Sequence, residues 1–80
     1  MWTEKDNALH RSFRFRNFVE ALTFMTEVAF HAERIAHHPS WTNVCNKVDI
    51  KLNTHDAGDI VTALDHELAA AIDEVYKKFH

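Results

Sequence analysis

Glu33-Arg34-Ile35-Ala36-His37-His38-Pro39-Ser40-Trp41 decides how this chain folds, because a helical pattern runs into it and a strand pattern runs out of it. Upstream, Phe18, Ala21, Leu22, Met25, Val28, Ala29, Ala32, Ile35 and Ala36 recur every three or four positions, the period of one helix face. Asn17, with Glu20 three residues on, suits an N-cap whose side chain meets the open amides of the first turn. At about 1.5 Å per residue a helix from Asn17 to Ala36 spans roughly 30 Å, the width of a small domain. Pro39 stops it, because a proline disfavours helical dihedrals at the residue before it. His37 and His38 then stand at a helix C-terminus, where unpaired carbonyls favour a protonated imidazole.

Downstream, Trp41 to Asn53 carries Val44, Val48, Ile50 and Leu52, with Asn46-Lys47 as the reversal between two antiparallel strands. Val48, Ile50 and Leu52 point to a core while Lys47, Asp49, Lys51 and Asn53 point away, the alternation of a sheet covered on one side. Asp56-Ala57-Gly58-Asp59 breaks this strand. A second helix starts near Thr62 in the capping box Thr62-x-x-Asp65 and carries Leu64, Leu68, Ala71, Ile72, Val75 and Phe79 on one face. Asp73 with Lys77 and Glu74 with Lys78 are its i,i+4 pairs. Before the first helix, Leu9 to Arg16 reads as a half-buried strand with Phe13 and Phe15 inward, and Trp2 to Asn7 adds a short edge strand. The expected fold is α+β, one domain over residues 1–80, with an antiparallel four-stranded sheet and two long helices packed on one face.

A chain of 80 residues buries only roughly 60 to 65% of the surface its unfolded form exposes, so its own core is thin. The lone Cys45 excludes an intrachain disulfide, which leaves a metal or self-association as reinforcement. Homodimerisation through the uncovered sheet would protect its open face and edges. One glycine and one proline leave no linker or repeat. Nine basic against twelve acidic residues, a net charge of −3, argue against a nucleic-acid binder, and Arg11, Arg14 and Arg16 read as the solvated side of a strand. With no charged-then-apolar leader and no apolar run near the ~20 residues that span a bilayer, the expectation is a cytoplasmic protein without a membrane partner.

Imidazoles titrate near pH ~6.5, so converging histidines can run acid and base steps without a metal. His10, His31, His66 and His80 read as surface or partly buried polar residues. His37 and His38 have company: Glu33 lies one helical turn earlier, and His55 stands at a strand end in Thr54-His55-Asp56-Ala57-Gly58. They are either helix-end residues complementing the dipole or part of an acid–base cluster. Zinc could use Glu33, His37, His38 and His55, but adjacent histidines rarely serve one ion, and no His-Glu-x-x-His or cysteine pair is present. Cys45 falls within a strand and reads as a small packing residue. Asp65 is either the N3 member of the capping box or a site residue, and Trp41 is either core or a platform for a flat ring.

The run Phe13-x-Phe15-x-x-Phe18, then Phe24-Met25-x-x-Val28-Ala29, then Ala32-Glu33-x-x-x-His37-His38-Pro39-x-Trp41-x-Asn43-Val44, then Leu52-x-Thr54-His55-Asp56-Ala57-Gly58 resembles the pterin-4a-carbinolamine dehydratases. The resemblance implies dehydration of 4a-hydroxytetrahydrobiopterin to quinonoid dihydrobiopterin, the recycling step after an aromatic amino acid hydroxylase, with no metal and no cofactor. It implies His37 and His55 as acid and base partners and His38 as the residue that holds or deprotonates the pterin. Glu33, Ala36, Pro39, Trp41, Asn53, Thr54, Asp56 and Asp65 complete the implied substrate site. It also implies homodimers or dimers of dimers, with a non-catalytic, coactivator-like dimerisation module as the alternative. Three departures stand out: a start at Met1-Trp2 without the N-terminal helix of longer members, Ala36 where Asp or Asn is common, and one extra residue between His55 and Asp65, through Asp59-Ile60-Val61.

Overall fold

The strand alternation closes into a single sheet in a computed structural model that describes residues 1–79; His80 lies outside them. The strands are β1 (Thr3–Lys5), β2 (Ala8–Arg14), β3 (Ser40–Val44) and β4 (Lys47–Leu52), and the helices are α1 (Phe18–Arg34) and α2 (Ala63–Tyr76). Short 3₁₀ turns cover His55–Ala57 and Lys77–Phe79. The sheet is antiparallel throughout, in the order β1-β2-β4-β3, so the fold is the expected four-stranded α+β arrangement. Asp6 and Asn7, at φ 51° and 62°, make the two-residue reversal from β1 to β2, the left-handed pair that short hairpins favour.

Register follows from the period of two. Leu9 opposes Leu52 and Phe13 opposes Val48, and all four are buried with Ile50 in one core against α1 and α2. On α1 the buried residues are Ala21, Phe24, Val28 and Ala32, while Phe18, Val19, Leu22 and Phe30 stay exposed. The apolar stripe expected from spacing therefore splits. Ala21 and Ala32 let the helix close on the sheet, and Phe24, absent from that stripe, fills the centre with ring centroids 5.0 Å from Phe13 and 4.8 Å from Phe15. The uncovered sheet face carries Lys5, His10, Ser12, Arg14, Lys47, Asp49 and Lys51, side chains that water serves well. Val44 on β3 adds one exposed apolar side chain to that face, and four more, Phe18, Val19, Leu22 and Phe30, stand on α1.

Several local expectations are corrected. Arg11 alternates with Leu9 and Phe13 on the helix-covered face, with its guanidinium 4.6 Å from the Phe13 ring centroid and 2.7 Å from Asp73. Asp73 also accepts from Trp2 Nε1 at 2.9 Å, so Lys77 turns to Glu74, and Lys78 to Glu27 on α1. The β3–β4 reversal is Cys45-Asn46, one residue early, and Cys45 is an exposed turn residue at φ 52°. Side-chain amides set that position: Asn43 donates to the carbonyls of Cys45 and Lys47 at 3.1 and 2.9 Å, and Asn46 to that of Phe15 at 2.8 Å.

A further correction concerns how α1 stops. The helix ends at Arg34 with Ile35 as its cap, before Pro39 can act. Ala36 adopts φ 52°, its amide donates to Glu33 O at 3.1 Å, and the His37 amide donates to Ala32 O at 3.0 Å. These are the paired bonds of a Schellman motif, which satisfy carbonyls the last turn leaves open. The chain therefore leaves the helix axis one residue before the histidine pair. Alanine in this conformation costs about 1 kcal/mol relative to glycine. Ala36→Gly should raise stability by about that amount, or roughly 4 to 8 °C in Tm for a domain of this size, measured by thermal unfolding.

Candidate active site

The turned exit of α1 lies beside the end of β4 and the start of α2, and an open cavity of about 220 Å³ forms where they meet. Ala36, His37 and His38 come to its wall from the helix exit, Asn53, Thr54, His55 and Asp56 from the chain leaving β4, and Leu64 from α2. Glu33 and Asp65 stand outside the lining set, behind His38 and His37 respectively. Pro39 joins the histidine pair to β3. Trp41, opposite Ile50 on β3, packs partly buried against the core and is absent from the cavity wall. Leu64 was not expected there: its place in the apolar stripe of α2 reads as core, yet it lies at the helix's first turn, 39% exposed.

His37 is the buried member of the cluster. Its Nε2 lies 2.5 Å from Oδ1 of Asp65, a carboxylate with no exposed surface. The other Asp65 oxygen accepts from the Thr62 amide and from the Thr54 hydroxyl, both at 2.8 Å, and the Thr54 and Thr62 hydroxyls meet at 2.6 Å. The cap and the site are thus one structure. Asp65 turns back on Thr62 as a capping-box residue does, and the same carboxylate grips the imidazole from α1. Burial alone would push its pKa up, but hydrogen bonds from His37, the Thr62 amide and the Thr54 hydroxyl outweigh it and hold the carboxyl below its usual range.

The other two imidazoles are at the surface. His38 Nε2 pairs with Glu33 Oε1 at 2.9 Å, and His55 Nδ1 with Asp59 Oδ1 at 2.9 Å. The hydrogen bond to Asp59, then its charge, and then that of Asp56 hold His55 above the ordinary imidazole pKa. Three imidazoles, each with a carboxylate partner, therefore surround one polar cavity, an arrangement able to give and take protons near neutrality. Among the described residues, no three His, Cys, Asp or Glu side chains are grouped to hold a metal ion, and Cys45 is absent from the cavity wall. No helix of the described residues is long and apolar enough to cross a membrane.

Comparison with known proteins gives a consistent result. The family model described as pterin 4 alpha carbinolamine dehydratase matches residues 1–75. A protein of Rhizobium meliloti (strain 1021), provisionally named pterin-4-alpha-carbinolamine dehydratase, is 54% identical over 71 residues, which cover 89% of this chain and 67% of that one. One from Christiangramia forsetii, with the same provisional name, is 51% identical over 74 residues, covering 92% and 75%. Among solved structures, a transcriptional coactivator/pterin dehydratase from Brucella melitensis superposes with a TM-score of 0.89 at 39% identity, over 94% of this chain and 81% of that one. A pterin dehydratase-like protein identified as a RuBisCO assembly factor shares the fold at a TM-score of 0.74 and 21% identity, over 95% and 87%.

Because the Asp65 carboxyl is held below its unfolded value, the folded state binds that proton more weakly than the unfolded chain does. The stability it contributes is complete above the unfolded value of about pH 3.9 and is lost as pH falls through the folded pKa. Asp65→Asn should therefore lower stability near neutrality and flatten its decline in acid, measured by urea unfolding at several pH values. Asp65→Ala, which strands His37, Thr54 and the Thr62 amide, should cost about 3 to 5 kcal/mol.

Proposed function

The chain belongs to the pterin 4 alpha carbinolamine dehydratase family, and from that premise we propose that it dehydrates 4a-hydroxytetrahydrobiopterin to quinonoid dihydrobiopterin by histidine acid–base catalysis. The observation that carries this reading is the meeting of His37, His38 and His55, drawn from two distant stretches of sequence, on one cavity wall with a carboxylate behind each ring. The reaction suits such a wall. The hydroxyl on C4a departs with one added proton as water, N5 gives up one proton, and the electrons of the N5–H bond become the C4a–N5 double bond. No electron is gained or lost overall, so protons are all the protein must handle.

In this reading His55, whose protonated form Asp59 favours, donates to the departing hydroxyl. His37 takes the N5 proton, and the ionised Asp65 stabilises the imidazolium that results. His38, oriented by Glu33, holds the pterin ring. The wall at Ala36, Asn53, Thr54 and Asp56 bounds the substrate, and Pro39 leads from the histidine pair into β3, which carries Trp41. The enzyme would act in the cytoplasm, without a metal or cofactor, to recycle the pterin after an aromatic amino acid hydroxylase. Its assembly would be a homodimer or a dimer of dimers, supported by the exposed Phe18, Val19, Leu22 and Phe30 on α1 and by the unpaired edge of β3.

Quinonoid dihydropterin formation from chemically generated 4a-carbinolamine tests the activity. Wild-type protein should accelerate it over buffer, and His55→Ala should lose about 10²- to 10⁴-fold of that acceleration. The rate should trace a bell in pH, with its alkaline limb above the ordinary imidazole value because His55 is the acid. No acceleration over buffer would favour the non-catalytic, coactivator-like module instead. Sedimentation should show at least a dimer, and Leu22→Asp with Phe30→Asp should move it toward monomer with the helical content intact.

A further inference from the structure

The three imidazoles meet their carboxylates through different ring atoms. His37 and His38 use Nε2, whereas His55 uses Nδ1, and its Nε2 makes no hydrogen bond to the described residues. The loop behind this difference is closed on itself. The Thr54 amide donates to Ile60 O at 2.8 Å, the Asp59 amide to Thr54 O at 3.1 Å, and the Gly58 amide to His55 O at 3.0 Å. Gly58 at φ 93° and Asp59 at φ 59° are consecutive left-handed residues, and this double turn brings position 59 back beside position 55. Asp is among the few side-chain-bearing residues that accept such a dihedral.

We propose that Asp59 is the positioning residue of His55: its carboxylate holds the proton on Nδ1, so that Nε2 is the single atom through which His55 exchanges a proton with a ligand in the cavity. The role assigned to His55 rests on the acid–base reading above. With Nδ1 engaged, the protonated ring offers its acidic proton at Nε2 and the neutral ring offers a lone pair at the same atom, so proton return after each turnover needs no ring flip. The other ionisable groups around the cavity are Asp56 on the same turn, His37 and His38 from the exit of α1, and the carboxylates of Asp65 and Glu33 behind those two rings. Asp56 acts on His55 through charge, whereas Asp59 adds the hydrogen bond that selects the tautomer.

Titration of ¹⁵N-histidine-labelled protein by NMR reads both ring nitrogens of His55 directly. In wild type the neutral ring should be chiefly the Nδ1–H tautomer. Asp59→Gly removes the carboxylate while accepting the left-handed dihedral. It should shift the tautomer toward Nε2–H and lower the His55 pKa, whereas Asp56→Asn should lower the pKa with the tautomer kept. In the dehydration assay, Asp59→Gly should reduce kcat about tenfold with KM little changed and move the alkaline limb to lower pH. The same change should have no effect in a His55→Ala background. An unchanged tautomer in Asp59→Gly, or a changed tautomer with unchanged kcat, overturns the proposal. An inactive wild type would instead overturn the dehydratase reading, and the NMR titration would then decide alone whether Asp59 fixes the ring.

Discussion

The carboxylate of Asp65, with no exposed surface, is the point on which the site and much of the fold turn. Its hydrogen bonds reach the imidazole beyond α1, the hydroxyl that follows β4 and the first free amide of α2. One is a backbone group and two are side chains, and one buried carboxylate takes all three. A buried carboxylate is costly unless fully satisfied, and here every bond that satisfies it also fixes a segment of the cavity wall. Placement of His37 and the joining of these three segments are therefore one event.

Around that point the chain assembles a core rich in aromatic rings. Phe13, Phe15, Phe24, Tyr76 and Phe79 meet mostly edge to face, which fills space between sheet and helices with few residues. Arg11 closes one end of this cluster, its guanidinium over Phe13 and its charge spent on Asp73. A thin core of this kind gains from large rings what it lacks in residue number.

Much of this was legible in the sequence. Period-two alternation in Val48, Ile50 and Leu52, the helical spacing around Val28 and Ala32, and the Thr62–Asp65 capping box each depend on neighbours close in sequence, and each reads correctly. The features that escaped depend on partners far away or on unusual dihedrals. Arg11 reads as solvated until Asp73, 62 positions later, is brought beneath it. Phe24 is buried with Ala21, Val28 and Ala32 at the three-or-four spacing of a narrower face than the expected stripe, and in the sequence several faces of α1 are apolar enough to compete. Neither Cys45 nor Ala36 carries a sequence signal of the left-handed conformation that both adopt. For the site, the histidines were legible as a group because they stand in recognisable surroundings. Their different use of ring nitrogens was not, since it follows from the path of the loop that carries Asp59. Leu64 carried no signal beyond its place in an apolar stripe.

Trp2 and Arg11 both fasten to Asp73, across separations of 71 and 62 positions. The first hairpin is thereby tied to the last helix, with everything else threaded between them. Such distant closures raise contact order, and a chain that must bring distant segments together folds more slowly than one built from neighbours. During synthesis, the sheet's inner face has no partner for Arg11 and no α2 to cover its apolar residues until nearly all of this sequence has been made. The vulnerable species is thus a nascent chain with a finished sheet and a missing lid, which makes the order of synthesis itself a constraint on this fold.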